Sequence, residues 1–192
     1  MPIDLNNISF SYGNKQILKD FNLSVKRGEC ICLLGVSGCG KTTTIRLIAG
    51  LETPQMGTID THKGKISMVF QEDRLLPWAT ALQNISLPLT DNDKSIAKKM
   101  LEQVGLSDSS DLLPEEMSGG MCRRVAIARS LAFGGDVLLL DEPFNGIDTA
   151  NKRSLAKLIL EYFGDKTIVL ITHIAEDAQI LGAKTIDFKG IN

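Results

Sequence analysis

The stretch Gly35-Val-Ser-Gly-Cys-Gly40-Lys41-Thr42 has the residue types and spacing to hold a polyphosphate, a full G-x-x-x-x-G-K-[ST] pattern. Its glycines let successive backbone N–H groups curl around phosphate oxygens, and a helix starting there adds the positive end of its dipole. Lys41 offers a cation to the outer phosphates, and the Thr42 hydroxyl offers a ligand to Mg²⁺. Ser37, Gly38, Cys39 and Thr43 supply the remaining loop and first-turn amides. A chain with this loop is expected to bind a nucleoside triphosphate.

Two further groups add to that chemistry. In Val137-Leu-Leu-Leu-Asp141-Glu142-Pro143 an apolar strand ends in Asp141. That placement sets a carboxylate beside the phosphate loop, where it holds Mg²⁺ directly or through water. Glu142 then falls where a carboxylate polarises an attacking water, which makes it the candidate general base. The third group is Met117-Ser118-Gly119-Gly120-Met121, followed by Arg123-Arg124-Val-Ala-Ile-Ala-Arg129. A serine and two glycines at a helix start form a second anion site in the same chain. One phosphate loop cannot use both sites on one nucleotide.

These groups need elements to position them. Ile3, Leu5, Ile8 and Phe10 alternate imperfectly, Tyr12-Gly13-Asn14 reads as a turn, and Leu18, Phe21, Leu23 and Val25 resume the alternation. Both segments read as antiparallel strands with one wet face. From Cys30 to Leu34 the chain is continuously apolar, a buried strand leading into the glycine-rich loop, with a helix over 42–49 stopped by Gly50. A strand is expected to end near Phe70, with helices over 81–86, 95–104 and 120–132. After the strand at 137–140 come a helix over 150–163, a strand over 167–171, a helix over 174–181 and a last strand over 185–188. Alternating strands and helices imply an α/β fold with a mostly parallel sheet covered on both faces. Residues 1–192 are expected to be one domain, with an N-terminal antiparallel β subdomain and a helical insertion over about 72–134.

Composition excludes several classes. Hydrophobic residues make up 43% and charged residues 23% of the 192, a globular mix rather than a disordered one. The net charge of −2 argues against a wide contact with a nucleic-acid backbone. No apolar run approaches the ~20 residues that span a bilayer, and the N-terminus shows no secretory pattern. Cys30, Cys32, Cys39 and Cys122 show no paired metal-ligand spacing and read as reduced thiols of the cytoplasm. Cys30 and Cys32, two apart, belong on one face of their strand.

Taken together and in this order, the motifs resemble those of the ATP-binding cassette (ABC) ATPases over essentially the whole chain. The resemblance implies a P-loop NTPase core that binds ATP and Mg²⁺, and a dimer, homomeric or pseudo-symmetric, in which two chains sandwich two ATP molecules. It assigns Tyr12 to stacking on adenine, and Gln71 to sensing Mg²⁺ and water and relaying to a membrane partner. It assigns His173, after the strand at 167–171, to contact with the γ-phosphate. The catalytic set is then Glu142, His173 and Gln71, and the Mg²⁺ set Thr42, Gln71 and Asp141. ATP contacts come from Tyr12, Gly35, Ser37, Gly38, Cys39, Gly40, Lys41, Thr42 and Thr43 of one chain. The other chain adds Ser118, Gly119 and Gly120.

Gln71-Glu-Asp-Arg-Leu75-Leu76-Pro77-Trp78 is similar to the corresponding stretch of importer ATPases for nitrate, sulfonates and taurine. In such importers this segment faces a transmembrane permease at the cytoplasmic face of the membrane. Met121 stands where the family usually has Gln, Asn145-Gly-Ile-Asp148 replaces a more common loop, and Ile174 follows His173 where an acidic residue is common. The chain ends soon after its last expected strand, so no C-terminal regulatory domain is expected. The implied function is the ATP-hydrolysing subunit of an ABC transporter, with permease subunits and no nucleic acid as partners. The other class that fits the motifs is a soluble ABC ATPase of DNA repair, translation or cofactor assembly, and long coiled coils or a second cassette would mark it.

Overall fold

Alternating apolar residues open the chain as β1 (Ile3–Tyr12), which pairs antiparallel with β2 (Lys15–Val25) in the computed structural model, where residues 2–188 are described. Ile3 and Leu5 are buried, yet so is Ile8, three residues on. A register shift between Leu5 and Ile8, with Asn7 at φ 51, absorbs the extra residue. This bulge explains the imperfect alternation. On its other edge β1 pairs antiparallel with β4 (Met56–Asp60), through Leu5 opposite Ile59, giving a three-stranded sheet β2-β1-β4. The sequence signals do not predict β4. Only Ile59 in it is partly covered, so no apolar period marks it.

The second sheet runs in the order β5-β6-β7-β3-β8. Its strands are β3 (Cys30–Leu34), β5 (Ile66–Val69), β6 (Val137–Asp141), β7 (Thr167–Thr172) and β8 (Lys184–Asp187). β3 pairs parallel with β7 and β8, and β6 pairs parallel with β7. Every residue of β6 and β7 is buried, as expected of strands covered on both faces. Burial pushes the Cys32 thiol up to about 12 and the Cys30 thiol up to about 11, so both behave as small apolar residues.

Six α-helices are described: α1 (Lys41–Ile48), α2 (Ala81–Ser86), α3 (Lys94–Gln103), α4 (Gly119–Phe133), α5 (Thr149–Phe163) and α6 (Ala175–Ile180). α1 ends where expected. Gly50 N–H donates to Leu47 O and Leu51 N–H to Arg46 O, closing a Schellman pair. Thr80 and Gln83 form a reciprocal capping box at α2, and Asp93 caps α3 by accepting from Ser95 and Ile96 N–H. Among the described residues, no helix is long and apolar enough to cross a membrane.

The chain divides into two compact units. One comprises the segment up to Met68, Gly135–Glu142 and the chain from Phe163. Its core joins Ile3, Ile8 and Val25 to Leu33, Ile45, Leu139 and Val169. Each such side chain contributes about 1.5–3 kcal/mol when fully buried. The other unit comprises Val69–Gly134 and Pro143–Tyr162. There α2, α3 and α4 pack on one another, and their Ile85, Met100, Leu101 and Ile127 are nearly or wholly shut from solvent.

Candidate active site

In the first unit three parallel strands deliver polar residues at their carboxyl ends, where open α/β sheets bind ligands. β3 runs into the glycine-rich loop and α1. Gly40 precedes α1 with φ 109, and a Cβ there would lie 3.1 Å from the Ile17 side chain. At Gly35 a Cβ would come within 2.6 Å of the Phe188 carbonyl. Only glycine fits either position without a shift. Lys41, only 6% exposed, donates from Nζ to the carbonyls of Gly35 and Val36, 2.8 Å each, with Cys39 Sγ at 3.6 Å. Ser37 and Gly38 are exposed at the loop tip, and Thr43 is buried in the first turn of α1.

β6 ends at Asp141, which is buried and accepts from Thr42 Oγ1 at 3.3 Å. A hydroxyl and a carboxylate converging from two elements are the hard oxygen donors that Mg²⁺ takes alongside phosphate and water, so this pair fits that ion. Glu142 follows with φ 48, a left-handed backbone rare for a side chain of its size. Its N–H donates to Ile171 O, its Oε1 accepts from His173 Nδ1 at 2.8 Å, and its Oε2 accepts from Thr172 Oγ1 at 3.3 Å. Because a carboxylate only accepts, the proton of the histidine contact belongs on Nδ1. Thr172 Oγ1 also lies 3.2 Å from Asp177 Oδ2 and accepts from Ile174 N–H. One hydroxyl proton is thus shared between two carboxylates. Tyr12, at the end of β1, packs edge-on against Phe10 and donates its hydroxyl to Glu52 Oε1.

The second unit carries Gln71, Ser118, Gly119 and Gly120. Ser118 caps α4, its Oγ accepting from Met121 N–H at 3.3 Å, so Gly119 and Gly120 lie in the first turn, whose amides have no intrahelical partner. Asp148, just before α5, accepts from the Asn151 side chain at 2.6 Å and from its N–H at 3.1 Å. These bonds, the side-chain one foremost, hold its carboxyl below the usual range.

Gln71 is exposed on a segment without regular structure, yet that segment is firmly held. Arg123, 4% exposed, donates to the carbonyls of Phe70 at 2.6 Å and Gln71 at 2.8 Å, and pairs with Asp73 Oδ1 at 3.1 Å. Arg129 donates to the carbonyls of Asp73 and Arg74. Buried Asn84 accepts from Leu76 N–H and donates to the carbonyls of Leu76, Ala79 and Thr80. Further along, Leu75 and Leu76 are half-buried while Trp78 is 74% exposed. Nothing in the motifs points to Asn84 or Asp177. Arg123 had a signal: it shares a helix face with Ala126 and Ile127, three and four residues on, both buried.

A strand-loop-helix phosphate cradle and an acidic strand end, on a parallel sheet, define a P-loop nucleoside-triphosphate-binding protein. The family is narrower. Residues 18–145 match the ABC transporter family model, and the chain belongs to that family. It is 41% identical to the aliphatic sulfonates import ATP-binding protein SsuB 1 of Pseudomonas savastanoi pv. phaseolicola, over 97% of this chain and 81% of that protein. To the bicarbonate transport ATP-binding protein CmpD of Synechocystis sp. it is 38% identical, over 96% of this chain and 73% of that protein. Among solved structures, the dimeric ATP-binding cassette MJ0796 in a post-hydrolysis state bound to ADP and Pi matches with a TM-score of 0.86 and 29% identity. That match covers 97% of this chain and 94% of that one. As an ABC transporter ATPase the chain binds ATP with Mg²⁺, hydrolyses ATP, and works with a second cassette and membrane permease subunits.

Proposed function

We propose that this chain powers the import of a small anion, of the kind represented by sulfonates, taurine, nitrate and bicarbonate, from the cytoplasmic face of the membrane. The likeness over nearly the whole chain to ATPases named for sulfonate import and bicarbonate transport carries this reading. The cassette acts as one domain, and Trp78 beside Leu75 and Leu76 is the anchor for the permease, since an indole left so exposed suits a protein interface.

In the proposed mechanism Lys41 exchanges the Gly35 and Val36 carbonyls for phosphate oxygens. Tyr12 stacks on adenine. Mg²⁺, when bound with ATP, neutralises phosphate charge, and Thr42 and Asp141 are the residues that would hold it, while Gln71 takes its catalytic role from the family resemblance alone. Glu142 takes the proton of the attacking water, its two oxygens oriented by His173 and Thr172. His173 serves the γ-phosphate as a donor from its opposite ring nitrogen while Nδ1 donates to Glu142, so both ring nitrogens carry protons in that contact. Ser118, Gly119 and Gly120 of a second chain close over the same nucleotide, and release after hydrolysis reopens the pair.

Glu142→Gln tests the chemistry. Turnover should fall about 10²- to 10⁴-fold, while ATP binding persists and light scattering reports a dimer only with MgATP. A variant with unchanged turnover would remove Glu142 from the mechanism. The transport reading is tested by deleting the gene and following uptake of labelled ethanesulfonate, taurine, nitrate and bicarbonate. Loss of one uptake is expected, and unchanged uptake of all four would overturn the small-anion assignment.

A further inference from the structure

Arg123 is nearly inaccessible, and it binds main chain and a carboxylate. Its guanidinium spends two short bonds on consecutive carbonyls, Phe70 and Gln71, and a third contact on the Asp73 carboxylate. All three partners lie on the segment that carries Gln71, while Arg123 itself belongs to α4, the helix that Ser118 caps. A planar fork gripping two successive carbonyls fixes both the position and the tilt of a peptide plane, which a single hydrogen bond does not. Burial raises the Asp73 carboxyl, and the neighbouring guanidiniums of Arg123 and Arg129 offset part of that rise. Asp73 is held to Arg123 by the 3.1 Å ion pair. Arg129 repeats the grip one step along, on the carbonyls of Asp73 and Arg74, and Arg74 lies over the Phe70 ring at 4.3 Å.

We propose that Arg123, braced by Asp73, is a positioning residue for hydrolysis that sets the main chain at Gln71 and makes it follow the helix capped by Ser118. A shift of α4 is then carried to the Gln71 main chain through the guanidinium. The inference rests on the reading of Gln71 as catalytic, and the test separates the two.

Steady-state ATP hydrolysis by the full chain is measured for Gln71→Ala, Arg123→Gln, Asp73→Asn and the two double variants containing Gln71→Ala. Arg123→Gln should lower kcat about tenfold with KM for ATP within about twofold, because it removes an effect on the transition state rather than on binding. In the Gln71→Ala background the same substitution should cost nothing further, since its effect passes through Gln71. Arg123→Lys, which keeps the charge and loses the fork, should recover part of kcat. Asp73→Asn keeps the shape and leaves both carbonyl bonds in place, so it reports even if Arg123→Gln folds poorly. A two- to threefold fall in kcat is expected, again absent with Gln71→Ala, on the order of a weakened brace. A loss of equal size with and without Gln71, or an unchanged kcat in folded Arg123→Gln and Asp73→Asn, would overturn the positioning role. If Gln71→Ala alone leaves kcat unchanged, the catalytic reading of Gln71 falls, and this inference with it.

Discussion

In the first unit Lys41, Asp141, Glu142 and His173 lie at or beyond the carboxyl ends of parallel strands, and polar groups gathered at those ends bind each side chain. In the second unit the positioned object is the main chain. Arg123, Arg129 and Asn84 bind carbonyls and an amide between Phe70 and Thr80, while Gln71, Ser118 and Gly119 remain exposed. A sheet offers ready-made strand ends, so a few polar residues there are enough. An irregular segment offers no such frame, and buried polar side chains have to supply one. The first arrangement fixes side-chain atoms; the second fixes a run of main chain.

The largest expected effect on ATP binding comes from Lys41→Ala. It should weaken ATP binding by a monomer about 100-fold, equivalent to about 2.7 kcal/mol, while Ser118→Ala leaves that binding within about twofold. Equal losses, read by fluorescence titration, would break the contrast between a binding unit and a closing one. Among effects on stability the largest is expected from Ile127→Ala in the core of the second unit, about 2–5 kcal/mol. Hydrogen exchange should then show amides of α2, α3 and α4 losing protection while β3 and β7 keep theirs. Uniform loss would show a single cooperative body.

Thr80→Ala removes half of the capping box at α2 and should cost about 1 kcal/mol in thermal unfolding. The smallest effect concerns pH. Hydrogen bonds, that from the Ser95 side chain foremost, hold the Asp93 carboxyl below its ordinary value, so its contribution is present above the usual aspartate range and is lost as pH falls through the lowered value. Asp73 has the opposite sign. Burial raises its carboxyl, so its contribution is present below the usual range and is lost as pH rises through the raised value. Acid unfolding of Asp93→Asn and Asp73→Asn should therefore deviate from the parent in opposite directions.

The sheet-borne half of the molecule was readable because strand alternation, the glycine loop and acidic strand ends are local patterns. α1 with its Gly50 stop and the buried runs of β3 and β6 follow the sequence within a residue or so. β4 was not readable, since its place depends on pairing with a bulged β1 rather than on an apolar period of its own. The frame around Gln71 was hidden for a related reason. Arg123 to Phe70 and Arg129 to Asp73 span long stretches of chain, and no spacing rule announces which carbonyl a buried guanidinium will take. The placing of Thr172 between Glu142 and Asp177 is equally silent in sequence, because it depends on a turn between β7 and α6.

The positive φ of Glu142 sets stability against turnover at one residue. A non-glycine side chain in that backbone region costs roughly 1 kcal/mol or more, and glycine would remove the cost together with the carboxylate. A search for heat-resistant variants that ignores activity is therefore drawn toward replacing Glu142. Such a search should produce cassettes that fold better, hold ATP and no longer turn it over. Any thermostabilised form of this chain needs its turnover checked at that position before its melting temperature is taken as an improvement.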